Sequence, residues 1–384
     1  MEKVKMLVAA VMGVMVAACS GSGETGDGPL VATGLYQPQK ISNLSELIEI
    51  VDVVPLATNN SSLIAEVNQL RCDGERFYVY DKPWTGGNPS VKIFGRDGSF
   101  IRTVTRTGEG PGELDPLKGV TINVARDTLY ILNSDCLMTY TADGDFIESR
   151  KIPYDVAWDF EVIDGGGFIF NVGRDSLVYH VTDPFFNELV ATYPANSLTG
   201  TSYVDPIVRM PDGRLLFTVL SVNETTVYDP SDGSTRLMPL ADIPGMEELA
   251  AYESTVKKNK FGLPEGTLSG TVSHSIGASD SQSFVITGTP DRTEMRLWAT
   301  VAPESRQVVS LDDVADDITN SRHGARRYFY TRMDGPEFTV TFTPEELIEG
   351  IEAGASADPR IDSLSRVISP EANPVVVTYR LKNR

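Results

Sequence analysis

From Leu44 onward, Asp-Gly pairs punctuate this chain at residues 73–74, 97–98, 143–144, 164–165, 212–213, 232–233 and 334–335. Both residues tolerate positive φ, so each pair marks a place where an extended chain reverses tightly. Between the pairs lie short runs rich in β-branched and aromatic residues, among them Phe77–Tyr80, Val91–Phe94, Leu129–Leu132 and Phe168–Phe170. Such runs are strand-forming. The pairs fall into two interleaved series. Asp97, Asp143 and Asp232 each follow an outer strand, spaced by 46 and then 89 residues. Asp73, Asp164 and Asp212 lie by the inner strands, spaced by 91 and then 48 residues. The common step is close to 45 residues, with four strands per unit, which is the period of β-propeller blades. A blade alone has two bare faces, and stacking blades around an axis buries both.

The expected fold is therefore all-β, a β-propeller. Residues 45–381 number 337, or about 56 per blade for six blades and about 48 for seven. The regular early repeats fit the smaller figure. Insertions around 242–268 and 345–372 favour six blades with long loops, the count adopted here. Helices are few. Thr343 is placed to cap a short helix over 344–351 with Pro344 at its first position, and Leu311 to Ile318 suits another turn or two.

The first residues have a different grammar. Lys3 and Lys5 precede an apolar run from Met6 to Ala18, 13 residues long, too short to span a bilayer core that needs roughly 20. This is the layout of a secretion signal. It ends in Val16-Ala17-Ala18-Cys19, which resembles the lipobox at which diacylglycerol is attached to the cysteine sulfur and the chain is cut before it. An ordinary signal peptide with a chance cysteine is the competing reading. The Gly- and Ser-rich stretch after Cys19 lacks core-forming side chains and reads as a tether. The expected organisation is a signal peptide over 1–18, a lipidated Cys19 with its tether over 19–43, and a propeller domain over 44–384. Loss of 1–18 leaves 31 basic and 52 acidic residues, a net charge of −21. A chain this acidic repels nucleic acid and anionic lipid alike, so nucleic acid is excluded as a partner. Contact with a membrane would run through the lipid. Export permits a disulfide between Cys72 and Cys136, and two buried thiols fit equally well.

Three stretches resemble the six-bladed β-propeller lipoproteins of Gram-negative anaerobes, relatives of the NHL-repeat propellers. Ile48–Leu56 is similar to that family's opening strand with its Pro-Leu exit. Gly108-Glu109-Gly110-Pro111-Gly112-Glu113 is similar to its connection between the first two blades, and Asn373–Leu381 to its closing strand. The resemblance implies a cell-envelope location, with the lipid in the outer membrane and the facing side open. The two end segments also suit a physical need, because strands from both termini completing one sheet would close the ring and leave no open edge.

Chemistry-bearing motifs are sparse. Gly108–Glu113 lacks the Gly-Lys-Ser/Thr ending of a phosphate loop and reads as a tight inter-blade turn. The three histidines, His180, His274 and His323, have no spacing that argues for a metal, and no Gly-x-Ser-x-Gly elbow occurs. No catalytic residue, metal ligand or cofactor is nominated. Asp312, Asp313, Asp316 and Asp317 read as a solvated helix face, since a glycine-punctuated calcium loop is missing. The one basic, aromatic patch is Arg322–Arg332. Read as a strand over Arg326 to Arg332, it places Arg326, Tyr328, Tyr330 and Arg332 on one face and Arg327 and Phe329 on the other, a combination suited to carboxylate or sugar ligands. The expected function is a binding or scaffold module for a protein, glycan or peptide. A propeller lyase or hydrolase with its site in the axial funnel is the alternative, and a structural subunit with an exposed apolar patch is a third.

Overall fold

The computed structural model describes residues 37–38, 41–239 and 273–382 apart from short intervening stretches, the longest being 195–206. The signal segment 1–18, Cys19, most of the tether and the insertion at 242–268 lie outside the described residues. Among the described residues no helix is long and apolar enough to cross a membrane.

After β1 (Gln37–Pro38) and β2 (Ile48–Pro55), the chain builds successive antiparallel sheets. The first runs β3 (Val67–Cys72), β4 (Arg76–Asp81), β5 (Ser90–Gly95), β6 (Phe100–Thr103). A small parallel pair, β7 (Arg106–Thr107) and β8 (Glu113–Leu114), leads to β9 (Val120–Ala125), β10 (Thr128–Asn133), β11 (Cys136–Thr141) and β12 (Phe146–Lys151). The third sheet is β13 (Ala157–Val162), β14 (Phe168–Val172), β15 (Val178–Thr182), β16 (Glu188–Pro194). The fourth is β17 (Ile207–Arg209), β18 (Leu215–Phe217), β19 (Glu224–Asp229), β20 (Ser234–Pro239). A fifth holds β21 (Ser273–Ile276), β22 (Ser283–Gly288), β23 (Met295–Ala302) and β24 (Gln307–Ser310), with β1 added parallel to β24. In the last sheet, β25 (Met333–Asp334), β26 (Glu337–Phe342) and β27 (Val375–Leu381) are joined by β2 as fourth strand. Ile48 pairs with Leu381 and Pro55 with Val375, with one irregularity between Ile50 and Asp52. Strands from the two ends of the chain thus share one sheet.

Burial explains the strand sequences. In β4, Phe77 to Asp81 are all buried, so the strand reads as a nearly continuous apolar run and not as an alternation. The outermost strand β12 is almost wholly exposed and carries Glu148, Arg150 and Lys151, charges that blunt an open edge. Apolar clusters lie between sheets. Val54 and Val376 of the last sheet, with Leu56 just past β2, pack with Phe77, Val79 and Phe94 of the first. Tyr78, Ile93, Ile122 and Met138 join the first to the second, and Leu132, Phe160 and Phe170 join the second to the third. Each fully buried side chain of this size contributes about 1.5–3 kcal/mol.

The Asp-Gly period has a physical cause beyond turning the chain. Gly98 has φ +82° in the turn between β5 and β6, and a Cβ there would lie 2.3 Å from the Pro55 carbonyl oxygen, at the exit of β2. Gly144 has φ +85° one sheet later, and its Cβ would meet Val104 at 2.8 Å, just past β6. In both cases the turn between third and fourth strands is pressed onto the end of the preceding sheet. Only glycine fits, for its left-handed backbone and for space.

The helix Pro344–Ala353 forms as the sequence indicates. Thr343 Oγ1 accepts from the Glu346 backbone N–H at 3.2 Å, and Glu346 Oε2 accepts from that of Thr343 at 2.9 Å. Two expectations need correction. Asp313 is in 3₁₀ conformation, but residues 314–320 do not continue a helix, because Ala315 forms a parallel bridge with Asn43 and 317–319 make a turn. Ala325–Phe329 is a 3₁₀ helix and not a strand, so the alternation inferred for the basic patch does not exist.

Candidate functional site

Tyr328, proposed from sequence as a ligand contact, has a relative exposure of 0 %. Its ring packs on Phe342 and Tyr379 at centroid distances of 5.4 Å each, and its carbonyl accepts from the Tyr379 hydroxyl. Burial pushes its phenol well above the ordinary range. A 3₁₀ turn directs this side chain inward, which makes it a core residue. Tyr330 and the side chain of Arg326 lie outside the described residues. The neighbouring Arg327 donates to the Thr341 carbonyl at 2.7 Å and lies 3.3 Å from Glu346, so it braces the helix cap.

In the acidic cluster Asp313 is exposed, as a solvated face requires, whereas Asp316 and Asp317 are structural. Asp316 is 7 % exposed. It accepts from the backbone N–H groups of Ile318, Thr319 and Ser321, and from the Thr319 hydroxyl at 2.5 Å. Burial holds its carboxyl above the usual range, against the opposing pull of those hydrogen bonds. Asp317 accepts from the Ser45 N–H at 2.9 Å and from its hydroxyl at 2.5 Å. These two aspartates are therefore not a solvated helix face. They organise a turn and tie the N-terminal segment to the last sheet. Asp312 lies outside the described residues.

The remaining sequence motifs resolve similarly. In the glycine-rich connection, Glu113 turns back so that Oε2 accepts from the Gly110 N–H at 2.9 Å. A carboxylate occupying the loop opposes phosphate binding and closes the inter-sheet turn. His180 lies 2.7 Å from Glu188 and its ring sits 4.7 Å from that of Tyr154. His274 lies in β21 opposite Val285, and His323 is exposed, 3.7 Å from Glu346. Cys72 and Cys136 are free thiols, in different sheets. Among the described residues no three His, Cys, Asp or Glu side chains are grouped to hold a metal ion.

Two features were not legible in the sequence. The first is a polar seam between the leading strands of the first three sheets. Gln69 Oε1 on β3 accepts from the Ile122 N–H of β9 at 2.8 Å. Asn123 Nδ2 on β9 donates to the Phe160 carbonyl of β13 at 3.2 Å and to Glu161 at 2.9 Å. These strands are the edges of their sheets, with backbone groups no fourth neighbour can pair, and the amide side chains meet that demand. Arg71 and Asp159 are buried on the same strands.

The second is the loop from β4 to β5, which presents Trp84 at 90 % exposure. Its backbone is tightly held. Trp84 N–H donates to Glu66 Oε2 at 2.8 Å, and the N–H of Glu66 itself donates to Asp81 Oδ1 at 3.1 Å. Asp81 is buried at the end of β4 and paired with Lys92 of β5 at 2.5 Å. Gly86 N–H donates to the Pro83 carbonyl at 3.2 Å, which closes the loop on itself. The large aromatic rings of the core, Tyr78, Tyr140 and Phe94 among them, are fully buried by contrast. The arrangement is a rigid mount carrying one indole into solvent.

Meandering four-stranded sheets packed in chain order define a propeller-like all-β protein. The family model "Domain of unknown function (DUF4934)" matches residues 31–380, and the chain belongs to that family. Among solved structures it is similar to a protein of Bacteroides fragilis described as exported, at 15 % identity and TM-score 0.64, covering 90 % of this chain and 99 % of that one. That likeness speaks to fold alone. A member of the DUF4221 family from Bacteroides vulgatus is similar at 10 % identity and TM-score 0.42, covering 88 % of this chain and 99 % of that one. Virginiamycin B lyase from Staphylococcus aureus is similar at 13 % identity and TM-score 0.33, covering 66 % of this chain and 82 % of that one. Both are too distant to bear on activity. No curated protein matches the chain.

Proposed function

We propose that this chain is an exported lipoprotein whose propeller acts as a binding module at the cell envelope. The observation that carries the binding reading is Trp84, an indole exposed on a loop that a buried ion pair and a carboxylate hold in place. Aromatic side chains presented rigidly bind at low entropic cost, which is why they anchor ligands and partners. Export is supported by the signal-like segment, by Val16-Ala17-Ala18-Cys19, and by the likeness to a protein described as exported. In this reading residues 1–18 are removed, Cys19 carries the lipid, 19–43 is anchor and tether, and 44–384 is the propeller. Its six sheets of four or more strands among the described residues are six blades, and the β2–β27 pairing joins the ends of the ring. The relation to NHL-type propeller lipoproteins belongs to the same proposal, as does an outer-membrane location.

Thermal unfolding of the mature chain carrying Cys19→Ala, against neutral oligosaccharides, peptides, calcium and a chelator, tests the binding role. A ligand at a hundred times its dissociation constant stabilises the fold by about 2.7 kcal/mol. A shift with one class and unchanged ligand after incubation is the expected result. Turnover of that ligand would replace the binding role with an enzymatic one. Fractionation tests the anchor: wild type should partition with membranes and Cys19→Ala should not. A variant that stays membrane-bound rejects lipidation at Cys19.

A further inference from the structure

We propose that Trp84 is the stacking platform of a subsite for neutral glycans, an inference that rests on the binding role above and names its ligand class. The indole is 90 % exposed while its backbone is fixed through Glu66 to Asp81 and Lys92. Because the backbone beneath the ring is already in place, a ligand that settles on it orders only the two side-chain torsions.

The surroundings select the ligand. A tryptophan that anchors a protein partner sits among apolar neighbours that exclude water around it. The described residues that follow Trp84 in its loop are Gly86, Gly87 and Asn88, all exposed, and the buried Pro89, so none of them adds an exposed apolar side chain to the ring. A pyranose matches this setting. One face offers C–H groups to the indole π surface, and its rim carries hydroxyls. Glu66, whose Oε2 holds the Trp84 amide, has a second carboxylate oxygen to accept from those hydroxyls, and Asn88 supplies an exposed amide. The formal charge of −20 narrows the class, because uronate, sulfated or phosphorylated glycans would approach against the field of the whole protein.

Titration calorimetry of the mature chain carrying Cys19→Ala provides the test. The probes are neutral gluco-, manno- and galacto-hexasaccharides, a uronate hexasaccharide and a Lys/Arg-rich peptide. At least one neutral hexasaccharide should bind. Trp84→Ala should weaken that binding by about tenfold or more, and Trp84→Phe should retain most of it. Both variants should melt as wild type does, because the side chain supports nothing in the core. Glycan binding untouched by Trp84→Ala overturns the subsite and leaves the binding module standing. Binding of the uronate or the peptide in place of every neutral glycan does the same. No binding in any class, together with no ligand in the wider thermal screen, overturns both.

Discussion

The Lys92 ammonium lies 2.5 Å from the Asp81 carboxylate, both side chains less than a tenth exposed, and the other Asp81 oxygen takes the N–H groups of Ala65 and Glu66. A single buried carboxylate therefore joins β4, β5 and the loop that enters β3.

Removing one partner strands the other charge in a low-dielectric site, which costs about 3–5 kcal/mol. Lys92→Met should destabilise the protein by about 3 kcal/mol or more in urea titration. The double variant Asp81→Asn, Lys92→Met should recover part of that loss. Equal destabilisation by the single and double variants would show that the pair is not energetically coupled.

Gly98 and Gly233 separate backbone strain from crowding. Both have positive φ, +82° and +72°, but a Cβ on Gly98 meets the Pro55 carbonyl at 2.3 Å while one on Gly233 meets nothing within 4 Å. Gly233→Ala should cost about 1–2 kcal/mol from the left-handed backbone alone. Gly98→Ala should cost clearly more, because β2 must shift. Similar losses in a denaturant series would remove the close approach as the reason for the glycine.

Asn373 is a hub. Its Oδ1 accepts from the Ile64 N–H at 2.8 Å, and its Nδ2 donates to the carbonyls of Ala57 and Ser62 at 2.7 and 2.8 Å. Asn373→Ala leaves three backbone groups to find new partners, at about 1–3 kcal/mol for each that fails. A loss of about 3 kcal/mol is expected, with the loop at 57–64 the first region to gain hydrogen exchange. Deletion of 373–384 removes β27 as well and should abolish cooperative unfolding. A truncated chain with an unchanged melting curve would contradict the role of the terminal strands.

Asp316 gives a pH signature of unusual sign. Burial raises its folded pKa above the ordinary value despite the hydrogen bonds that oppose this. The folded state therefore holds its proton to a higher pH than the unfolded chain does. By linkage, the Asp316 contribution to stability is undiminished below the ordinary carboxylate pKa of about 3.9 and falls as pH rises toward the folded value. Asp316→Asn loses hydrogen-bond acceptors and should be less stable at acid pH, with the gap to wild type narrowing as pH rises across that window. A gap that widens would mean the hydrogen bonds outweigh desolvation.

The strand grammar was readable because its causes are local. Turn residues recur at fixed offsets, β-branched and aromatic runs fill the intervals, and Thr343-Pro344 with Glu346 spells a helix cap; the structure has the cap and the turns at Gly74, Gly98, Gly144 and Gly233, while Asp164-Gly165, Asp212 and Gly335 lie outside the described residues. The basic patch was misread for an equally physical reason. An arginine–tyrosine alternation looks the same whether it faces a ligand or sits in a turn, and only the 3₁₀ geometry sends Tyr328 into the core. Asp317 looked solvated because its partner, Ser45, is distant in sequence, and Asp316 because only the buried turn it caps, at Ile318, Thr319 and Ser321, takes it out of water.

By itself, then, the amino-acid sequence determined the all-β architecture, the repeating turns and the few helices, since backbone propensity and turn chemistry act over a handful of residues. It also carried the segment that reads as an export signal. What only the tertiary structure decided is which polar and aromatic groups are spent on the fold and which reach solvent. Asn373 and Gln69 are consumed by backbone groups far along the chain, whereas the Trp84 side chain reaches solvent from a backbone tied to Glu66. Burial and partnership are properties of packing, and packing joins residues that the sequence keeps apart.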